Sequence, residues 1–262
     1  KRLVLHVDLN NTILVSDAVT CQGTLAALDY FLTTVTWGKK LLQADRDLSV
    51  KGEDGRLYHW ILPSFFQLLR DLSQEGREFA ILFRTFGTDL PRVLKAVSRA
   101  LDGAHPLFPD LPQLKLSVAV TPGKIRCSKK GIVLNRAEER VSSRDGERGL
   151  YEYFSSVQGL GGFQDHFDWA ANSFSIRGGK PMWVDPFDKH VQHIFIDDNI
   201  RQNDEDTIVN PKVFLDPGGS DTRIACISEL YDITLIQTNL LQAISDPSYF
   251  TQRVHICLEN YE

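Results

Sequence analysis

Four short segments of this chain carry oxygen and nitrogen side chains that could perform chemistry on a phosphate group. Each polar residue follows or interrupts a run of apolar residues, which is the pattern expected where a buried strand ends. The segments are "DLNNT" with Asp8 and Asn10, "RT" with Thr85, "GGKP" with Lys180, and "FIDDN" with Asp197 and Asp198. Together they offer a carboxylate nucleophile, a hydroxyl, an ammonium group and an acidic pair.

This set of groups has a consistent chemical logic. A hard divalent cation such as Mg²⁺ prefers oxygen ligands, and Asp8 and Asp197 would supply charged ones while the backbone carbonyl of Asn10 supplies a neutral one. Asp8 could then attack phosphorus to form an aspartyl-phosphate. Thr85 and Lys180 would bind the phosphoryl oxygens as charge moves toward the leaving group. The residues therefore predict Mg²⁺-dependent phosphoryl transfer.

The elements that must position these residues alternate between strands and helices. Continuous apolar runs predict strands, and apolar residues at helical spacing predict helices between them. Because such strands suit a parallel sheet covered on both faces, we expect a Rossmann-like α/β fold, an open parallel sheet flanked by helices. The predicted strands lie within 3–14, 79–87, 114–121, 193–199 and 212–216, and the predicted helices at 63–76 and 89–103.

Two stretches are longer than a connection between these elements requires. Residues 16–62 combine an apolar helical pattern with a polar loop or hairpin, and residues 121–170 are basic, then charged, then aromatic. Insertions that follow strand ends lie over the carboxyl edge of a parallel sheet, where such folds bind ligands. The predicted division is a core of 1–15, 63–120 and 171–262 with lid insertions at 16–62 and 121–170.

The four motifs, in this order, resemble those of the haloacid dehalogenase-like superfamily, whose members are mostly phosphohydrolases. The resemblance spans residues 3–199 and matches the two insertions to the cap positions of that family. It implies that Asp8 is the nucleophile, Thr85 the phosphate-binding hydroxyl and Lys180 the cation that steadies both. It also implies that Asp197 and Asp198 are acids on the magnesium side of the site.

Asn10 departs from the phosphatase pattern of that superfamily, in which a second acid protonates the leaving oxygen and later activates water. An Asn side chain can form hydrogen bonds but has no proton to exchange at physiological pH. Its backbone carbonyl is unaffected, so metal binding is compatible with slow hydrolysis. The prediction is a slow phosphatase or phosphotransferase, and the alternative is an inactive protein that binds a phosphorylated ligand or partner.

Other basic residues near the motifs have alternative interpretations. Arg84, beside Thr85, is either a substrate-contacting cation or a surface residue. Lys189 competes with Lys180 because it lies nearer the fourth strand, although the Gly-Gly-Lys-Pro turn favours Lys180. The basic run at residues 124–130 is a solvated face unless it overhangs the ligand-binding crevice.

Composition excludes several classes of protein. The net charge of -5 gives no general attraction to nucleic acid or anionic membranes. No apolar run approaches the roughly 20 residues that cross a bilayer, and no G-x-x-x-x-G-K-[ST] loop is present. Four scattered cysteines without a C-x-x-C pair are typical of a reducing compartment. We expect a cytoplasmic protein with a small phosphorylated substrate, and the sequence leaves its oligomeric state open.

Overall fold

The computed structural model describes residues 1–14, 45–51, 57–166 and 172–261. The strands in these ranges are β1 (Arg2–Val7), β2 (Ser49–Lys51), β3 (Leu57–His59), β4 (Phe79–Thr85), β5 (Gly123–Ser128), β6 (Gly131–Arg136), β7 (Glu139–Ser142), β8 (Gly159–His166), β9 (Lys180–Val184), β10 (Val191–Asp197), β11 (Val209–Phe214), β12 (Thr222–Ile224) and β13 (Leu235–Gln237). The α-helices are α1 (Pro63–Gln74), α2 (Leu90–Arg99), α3 (Glu147–Ser156), α4 (Ile227–Leu230), α5 (Leu240–Ser245) and α6 (Tyr249–Asn260).

The described strands form a large sheet, a smaller sheet of three strands and a hairpin. The order in the large sheet is β13-β10-β1-β4-β8-β5-β6-β7, and the order in the small sheet is β12-β11-β9. The six strands from β13 to β5 are parallel, and β6 and β7 extend them in antiparallel fashion. The predicted α/β class with a mostly parallel sheet flanked by helices is therefore confirmed.

Different elements cover the two faces of the large sheet. On one face Leu5 of β1 clusters with Phe65 of α1, together with residues of α2 and α6. On the other face Val4 clusters with Phe154 of α3 and Trp183 of β9. Burial on both faces explains why most residues of β1 are apolar. Because side chains alternate along a strand, Asp8 shares the face of Val4 and points toward the small sheet.

The two predicted helices are present as α1 and α2. Pro63 begins α1, where its fixed φ suits the first turn. Gly76, at φ 66°, follows its C-terminal end and turns the chain toward β4. Among the helices that the structure describes, none combines the length and apolar character needed to cross a bilayer.

The strand predicted within 114–121 is wrong. Residues 111–114 form a 3-10 turn, and Val118 makes only an isolated bridge to Leu160 of β8. The strand beside β4 is instead β8, whose sequence "GLGGFQDH" has a weak apolar signature. Its glycines allow close packing, since a Cβ on Gly162 would lie 2.4 Å from the Leu90 side chain. The packing that makes β8 a core strand therefore removes the pattern that would reveal it.

The predicted boundaries of the domains also need correction. Residues 121–170 contribute β5 to β8 to the large sheet, so this stretch is not an insertion separate from the core. The strand predicted at 212–216 corresponds to β11, which belongs to the small sheet, and β13 ends the large one. Most of the predicted lid at 16–62 lies outside the described residues. Its described part includes the β2–β3 hairpin, after which Trp60 and Ile61 join the core.

Candidate active site

The carboxyl ends of three neighbouring strands, β10, β1 and β4, form the candidate site. In the parallel register, the residue before Asp8 lies opposite the residues before Asp197 and Arg84. Asp8, Asp197 and Arg84 therefore lie at the same level of the sheet. Asp8 is 6% exposed and Asp197 is fully buried. The fold thus places two buried carboxylates at adjacent strand ends, as the motif order predicts.

Lys180 begins β9, and its side chain reaches from the small sheet to the large one. Its Nζ donates hydrogen bonds to Oδ1 of Asp8 at 2.7 Å, to Oδ2 of Asp197 at 2.9 Å and to the main-chain oxygen of Arg84 at 3.0 Å. An ammonium group has three protons to donate, and each has a partner here. One buried cation therefore links the ends of β1, β10 and β4.

The structure places Lys180, and not Lys189, beside Asp8. Lys189 is exposed in the turn before β10, at the amino edge of the sheet. Gly179 lets the chain that carries Lys180 approach its neighbour, because a Cβ on Gly179 would lie 2.6 Å from the carbonyl oxygen of Ile208. The Gly-Gly-Lys-Pro segment therefore allows the backbone at residue 179 to pack closely against the backbone at Ile208, as its glycine content suggests.

Thr12 connects Asp8 to the turn after β10. Its hydroxyl donates to Oδ2 of Asp8 at 3.3 Å and accepts a hydrogen bond from the backbone N–H of Asp198 at 3.1 Å. The backbone N–H of Asn199 donates to Oδ1 of Asp197 at 2.9 Å. With Lys180 bound to their other oxygens, the carboxylates of Asp8 and Asp197 are each held from two sides.

Thr85 and Asn10 meet beside Gly87, at the end of β4. The Thr85 hydroxyl accepts a hydrogen bond from the Gly87 N–H at 2.9 Å and keeps its own proton for donation. A Cβ on Gly87 would lie 3.3 Å from Oγ1 of Thr85 and 3.6 Å from Nδ2 of Asn10. The two predicted site residues therefore border the same small space, which the missing side chain of Gly87 keeps open.

The electrostatics of the site are dominated by buried negative charge. Burial, and then the neighbouring Asp197, raise the pKa of Asp8 to about 7 against the opposing effect of Lys180. Burial and the charges of Asp197 and Asp8 raise the pKa of Asp198 to about 8. Burial lowers the pKa of Lys180, but Asp197 and Asp8 raise it by more, so its ammonium group stays charged.

Three carboxylates lie close enough together to hold a cation. Asp8, Asp197 and Asp198 each offer an oxygen atom, and these atoms lie within 4.8 Å of one another. An oxygen-only set suits a hard divalent cation. The raised pKa values of Asp8 and Asp198 fit the same purpose, because a bound cation would relieve the repulsion that causes part of the rise. Asn10, the fourth predicted ligand, follows Asp8 by two residues.

Arg84 does not contact the candidate site through its side chain, which corrects its predicted role as a substrate-binding cation. Its guanidinium group is fully buried and forms a two-pronged ion pair with Asp165 of β8, at 2.6 and 2.9 Å. It also donates to the main-chain oxygen of Pro181 at 3.1 and 3.2 Å. These contacts direct the guanidinium group toward β8 and β9 and away from the carboxylate of Asp8.

The hydrogen bonds of Arg84 extend into a buried histidine pair. Nη1 of Arg84 lies 3.3 Å from Nδ1 of His6, and Nε2 of His6 lies 3.0 Å from Nδ1 of His193. Burial is the main cause that lowers the pKa of His6 far below its usual value and that of His193 to about 3, so both rings are neutral. Because Arg84 can only donate, His6 donates to His193, whose Nε2 then donates to Ser155.

Two residues that orient charged groups in or near the site, Thr12 and Asp165, are not predicted from the sequence. Thr12 belongs to the "DLNNT" motif, but a hydroxyl four residues after an acid carries no separate signal. Asp165 lies in the stretch interpreted as an insertion, and recognising β8 as a strand would have been needed to place it. Both act by orienting charged groups, namely Asp8 and Arg84.

Comparison of the chain with descriptions of known protein families, with curated protein sequences and with solved structures finds no match in any of the three. The function must therefore be argued from the site itself. The residues of the site that bear most directly on function are Asp8, Lys180 and the two acids at the end of β10.

Loss of the buried partner of Arg84 should destabilise the fold. Asp165→Asn leaves a guanidinium charge buried without its counterion, so we expect the free energy of unfolding to fall by roughly 3–5 kcal/mol. Urea unfolding followed by circular dichroism measures this loss. Asp206→Asn removes one partner of the exposed Arg201–Asp206 pair and should change stability little. Equal losses in the two variants would contradict the structural role of Asp165.

The acidic cluster should make stability fall as pH rises. Asp8 and Asp198 have pKa values of about 7 and about 8 in the folded chain, against the ordinary value of 3.8 for Asp. Between about pH 4 and 8 the folded chain therefore binds more protons than the unfolded chain, and the free energy of unfolding decreases with pH.

Asp198→Asn removes one of these groups and isolates its contribution. In buffers with a chelator, we expect the melting temperature of the wild type to fall relative to that of the variant as pH rises through this window. Scanning calorimetry over a pH series measures the difference. A difference that stays constant, or that changes in the opposite direction, would show that the cluster is not strained by its negative charge.

Proposed function

We propose that this protein transfers the phosphoryl group of a small phosphorylated substrate to Asp8 and then to water or another acceptor, in a Mg²⁺-dependent reaction. The observation that carries the proposal is the 2.7 Å contact between Nζ of Lys180 and Oδ1 of Asp8, in a cluster with two more carboxylates. The resemblance to the haloacid dehalogenase-like superfamily supports it, because side chains of all four motifs lie at one sheet edge.

Asp8 is the nucleophile of the proposed reaction. One of its carboxylate oxygens bonds to phosphorus while the ester bond to the leaving oxygen breaks, and the departing alkoxide takes a proton from water. In the second step, water attacks the same phosphorus and the bond to Asp8 breaks. The products are an alcohol, inorganic phosphate and the original carboxylate, with the second proton released to solvent.

Lys180 and Thr85 act on the charge of the phosphoryl group. Lys180 keeps Asp8 oriented through its hydrogen bond and supplies a buried positive charge that stabilises negative charge developing nearby. Thr85 keeps a hydroxyl proton that can be donated to a phosphoryl oxygen. Both groups are fixed before substrate binds, since Lys180 is fully buried and Thr85 is 2% exposed.

The side chains that would hold Mg²⁺ are those of Asp8, Asp197 and Asp198. The backbone carbonyl of Asn10, which the sequence predicts as a neutral ligand, would complete the set. When bound, the ion supplies positive charge that reduces repulsion between Asp8 and a dianionic phosphate. The three carboxylates suit it because all their donor atoms are hard oxygens.

Asn10 is the reason to expect slow hydrolysis. Its carboxamide borders Gly87 beside Thr85, but it cannot deliver a proton to the leaving oxygen or remove one from water. General acid-base catalysis contributes about 10²–10⁴-fold to a rate. A site that lacks this contribution still forms the covalent intermediate when the leaving group is good.

The same residue favours a second candidate function, a binding protein that recognises a phosphorylated ligand without turnover. In that case Asp8, Lys180 and Thr85 serve as a phosphate pocket. The two candidates share the site and differ only in whether the bond to phosphorus forms.

The surroundings of the site belong to the same proposal. The part of residues 16–62 that precedes the core residues Trp60 and Ile61 would serve as a cap that selects the substrate. The thiols of Cys127, Cys226 and Cys257 are free, which suits action in the cytoplasm, where cysteines stay reduced. The ligand in this setting is a small phosphorylated compound.

Beryllium fluoride, which mimics a phosphoryl group on a carboxylate, should bind to Asp8 in the presence of Mg²⁺. Fluorine nuclear magnetic resonance measures the bound signal. Asp8→Asn should abolish that signal, whereas Asp221→Asn, the same change at an exposed position, should leave it intact. A signal that survives Asp8→Asn would rule out the proposed nucleophile.

Restoring an acid at position 10 should accelerate turnover. With a phosphomonoester panel and Mg²⁺, we expect Asn10→Asp to raise the rate of phosphate release by roughly 10²–10⁴-fold, since it returns a proton-transfer group to the site. Asn11→Asp adds the same charge one residue away, where the left-handed backbone tolerates Asp, and should not raise the rate. If Asn10→Asp stays inactive while beryllium fluoride binds, the binding function is favoured over catalysis.

A further inference from the structure

The β5–β6 hairpin extends the large sheet beside the candidate site and carries a group of cations. Residues 111–137 contain no Asp or Glu, although the whole chain has a net charge of -5. We call this element the basic hairpin. Its four cationic side chains are exposed, and they belong to Lys124, Arg126, Lys129 and Lys130. Within the described part of the chain, none of these four side chains forms an ion pair.

The strand register places this hairpin relative to the site. Thr85 of β4 lies opposite Gln164 of β8, and Gln164 lies opposite Lys124 of β5. Residues that pair in a parallel sheet point to the same face, so these three form one row along the carboxyl edge. Lys124 is two strands from Thr85, a separation of about 10 Å.

A contact confirms that the row is continuous near the site. Nε2 of Gln164 donates to the main-chain oxygen of Gly87 at 3.2 Å, and Gly87 borders both Thr85 and Asn10. The path from the proposed phosphate pocket to Lys124 therefore passes over Gly87 and Gln164. It crosses small or polar groups, on which an extended ligand could lie.

The hairpin also rises past the edge of the sheet. β5 is parallel to β8, so it runs in the direction in which β4 ends at Thr85. Its turn begins at Ser128, four residues beyond Lys124, which is roughly 13 Å past the level of Thr85. Arg144, which follows β7, donates to the carbonyl of Lys130 and adds a further cation at this turn. The basic hairpin thus forms a positive wall along one side of the crevice.

We propose that the basic hairpin binds a second phosphate group of the substrate, so that the substrate class is an organic bisphosphate with its phosphates about 10 Å apart. This inference rests on the proposed function, since the first phosphate is the one bound beside Asp8. A second phosphate suits the wall because it offers two negative charges to several exposed cations. The buried site selects the reacting phosphate, and the hairpin selects compounds that carry another.

Binding of non-hydrolysable phosphonates tests this inference without requiring turnover. Calorimetry in Mg²⁺ would compare hexane bisphosphonate, which has a phosphonate at each end of its chain, with hexylphosphonate, which has one. We expect the bisphosphonate to bind about tenfold more tightly than hexylphosphonate. This exceeds the roughly twofold statistical advantage of a ligand that can bind through either of two equivalent ends. The double variant Lys124→Gln, Arg126→Gln should remove most of this gain and leave hexylphosphonate binding within about twofold.

Lys189→Gln is the control, because it removes a positive charge from an exposed site at the opposite edge of the sheet. It should preserve the preference for the bisphosphonate. The inference is overturned if both ligands bind equally well, if neither binds, or if the hairpin variant weakens both to the same extent. Melting temperatures of the variants check that the fold is intact.

The outcomes separate this inference from the proposed function. Loss of the bisphosphonate preference with intact, Asp8-dependent beryllium fluoride binding rejects the hairpin as a second anion site and keeps the proposed reaction. Failure of beryllium fluoride to bind, together with bisphosphonate binding that depends on Lys124 and Arg126, rejects the reaction and keeps the hairpin as an anion site.

Discussion

The ammonium group of Lys180 is the interaction on which the candidate site depends. Adjacent parallel strands deliver Asp8 and Asp197 to the same level, where two buried carboxylates would repel each other. Lys180 reaches both from the small sheet and also caps the end of β4. The site is therefore complete only when the small sheet is docked on the large one, and the geometry of the proposed nucleophile is coupled to the packing of the whole fold.

A second buried ion pair fixes the strand that carries Lys180. Arg84 binds Asp165 and the carbonyl of Pro181, the residue after Lys180. The carboxylates of the site are thus connected through Lys180 and the backbone of Pro181 to the Arg84–Asp165 pair. Removing a partner from such a pair costs more than the pair itself contributes, because the remaining charge stays buried. Asp165 is in this sense a positioning residue, although it lies away from the proposed phosphate pocket.

The parts of the fold that could be predicted are those whose burial leaves a simple pattern. β1, β4 and β10 are rich in apolar residues because both of their faces are covered, and their ends locate Asp8, Thr85 and Asp197. β8 could not be found this way, since close packing against α2 requires glycine where a buried strand usually has large apolar residues. The role of Arg84 is also hidden in the sequence, because its partner Asp165 lies on β8, the strand that the apolar pattern does not reveal.

Asn10 affects the two steps of the proposed chemistry differently, because with a good leaving group only the second step needs the proton-transfer group that Asn10 lacks. Forming the bond from Asp8 to phosphorus needs an oriented carboxylate and positive charge, and the contacts of Lys180 and Thr12 with Asp8 supply both without residue 10. Breaking that bond with water needs a base, which Asn10 cannot be. A site of this kind favours a covalent intermediate that persists, so an acceptor more nucleophilic than water would compete well for the phosphoryl group. The geometry is therefore more consistent with phosphoryl transfer, or with retention of the phosphate, than with rapid hydrolysis.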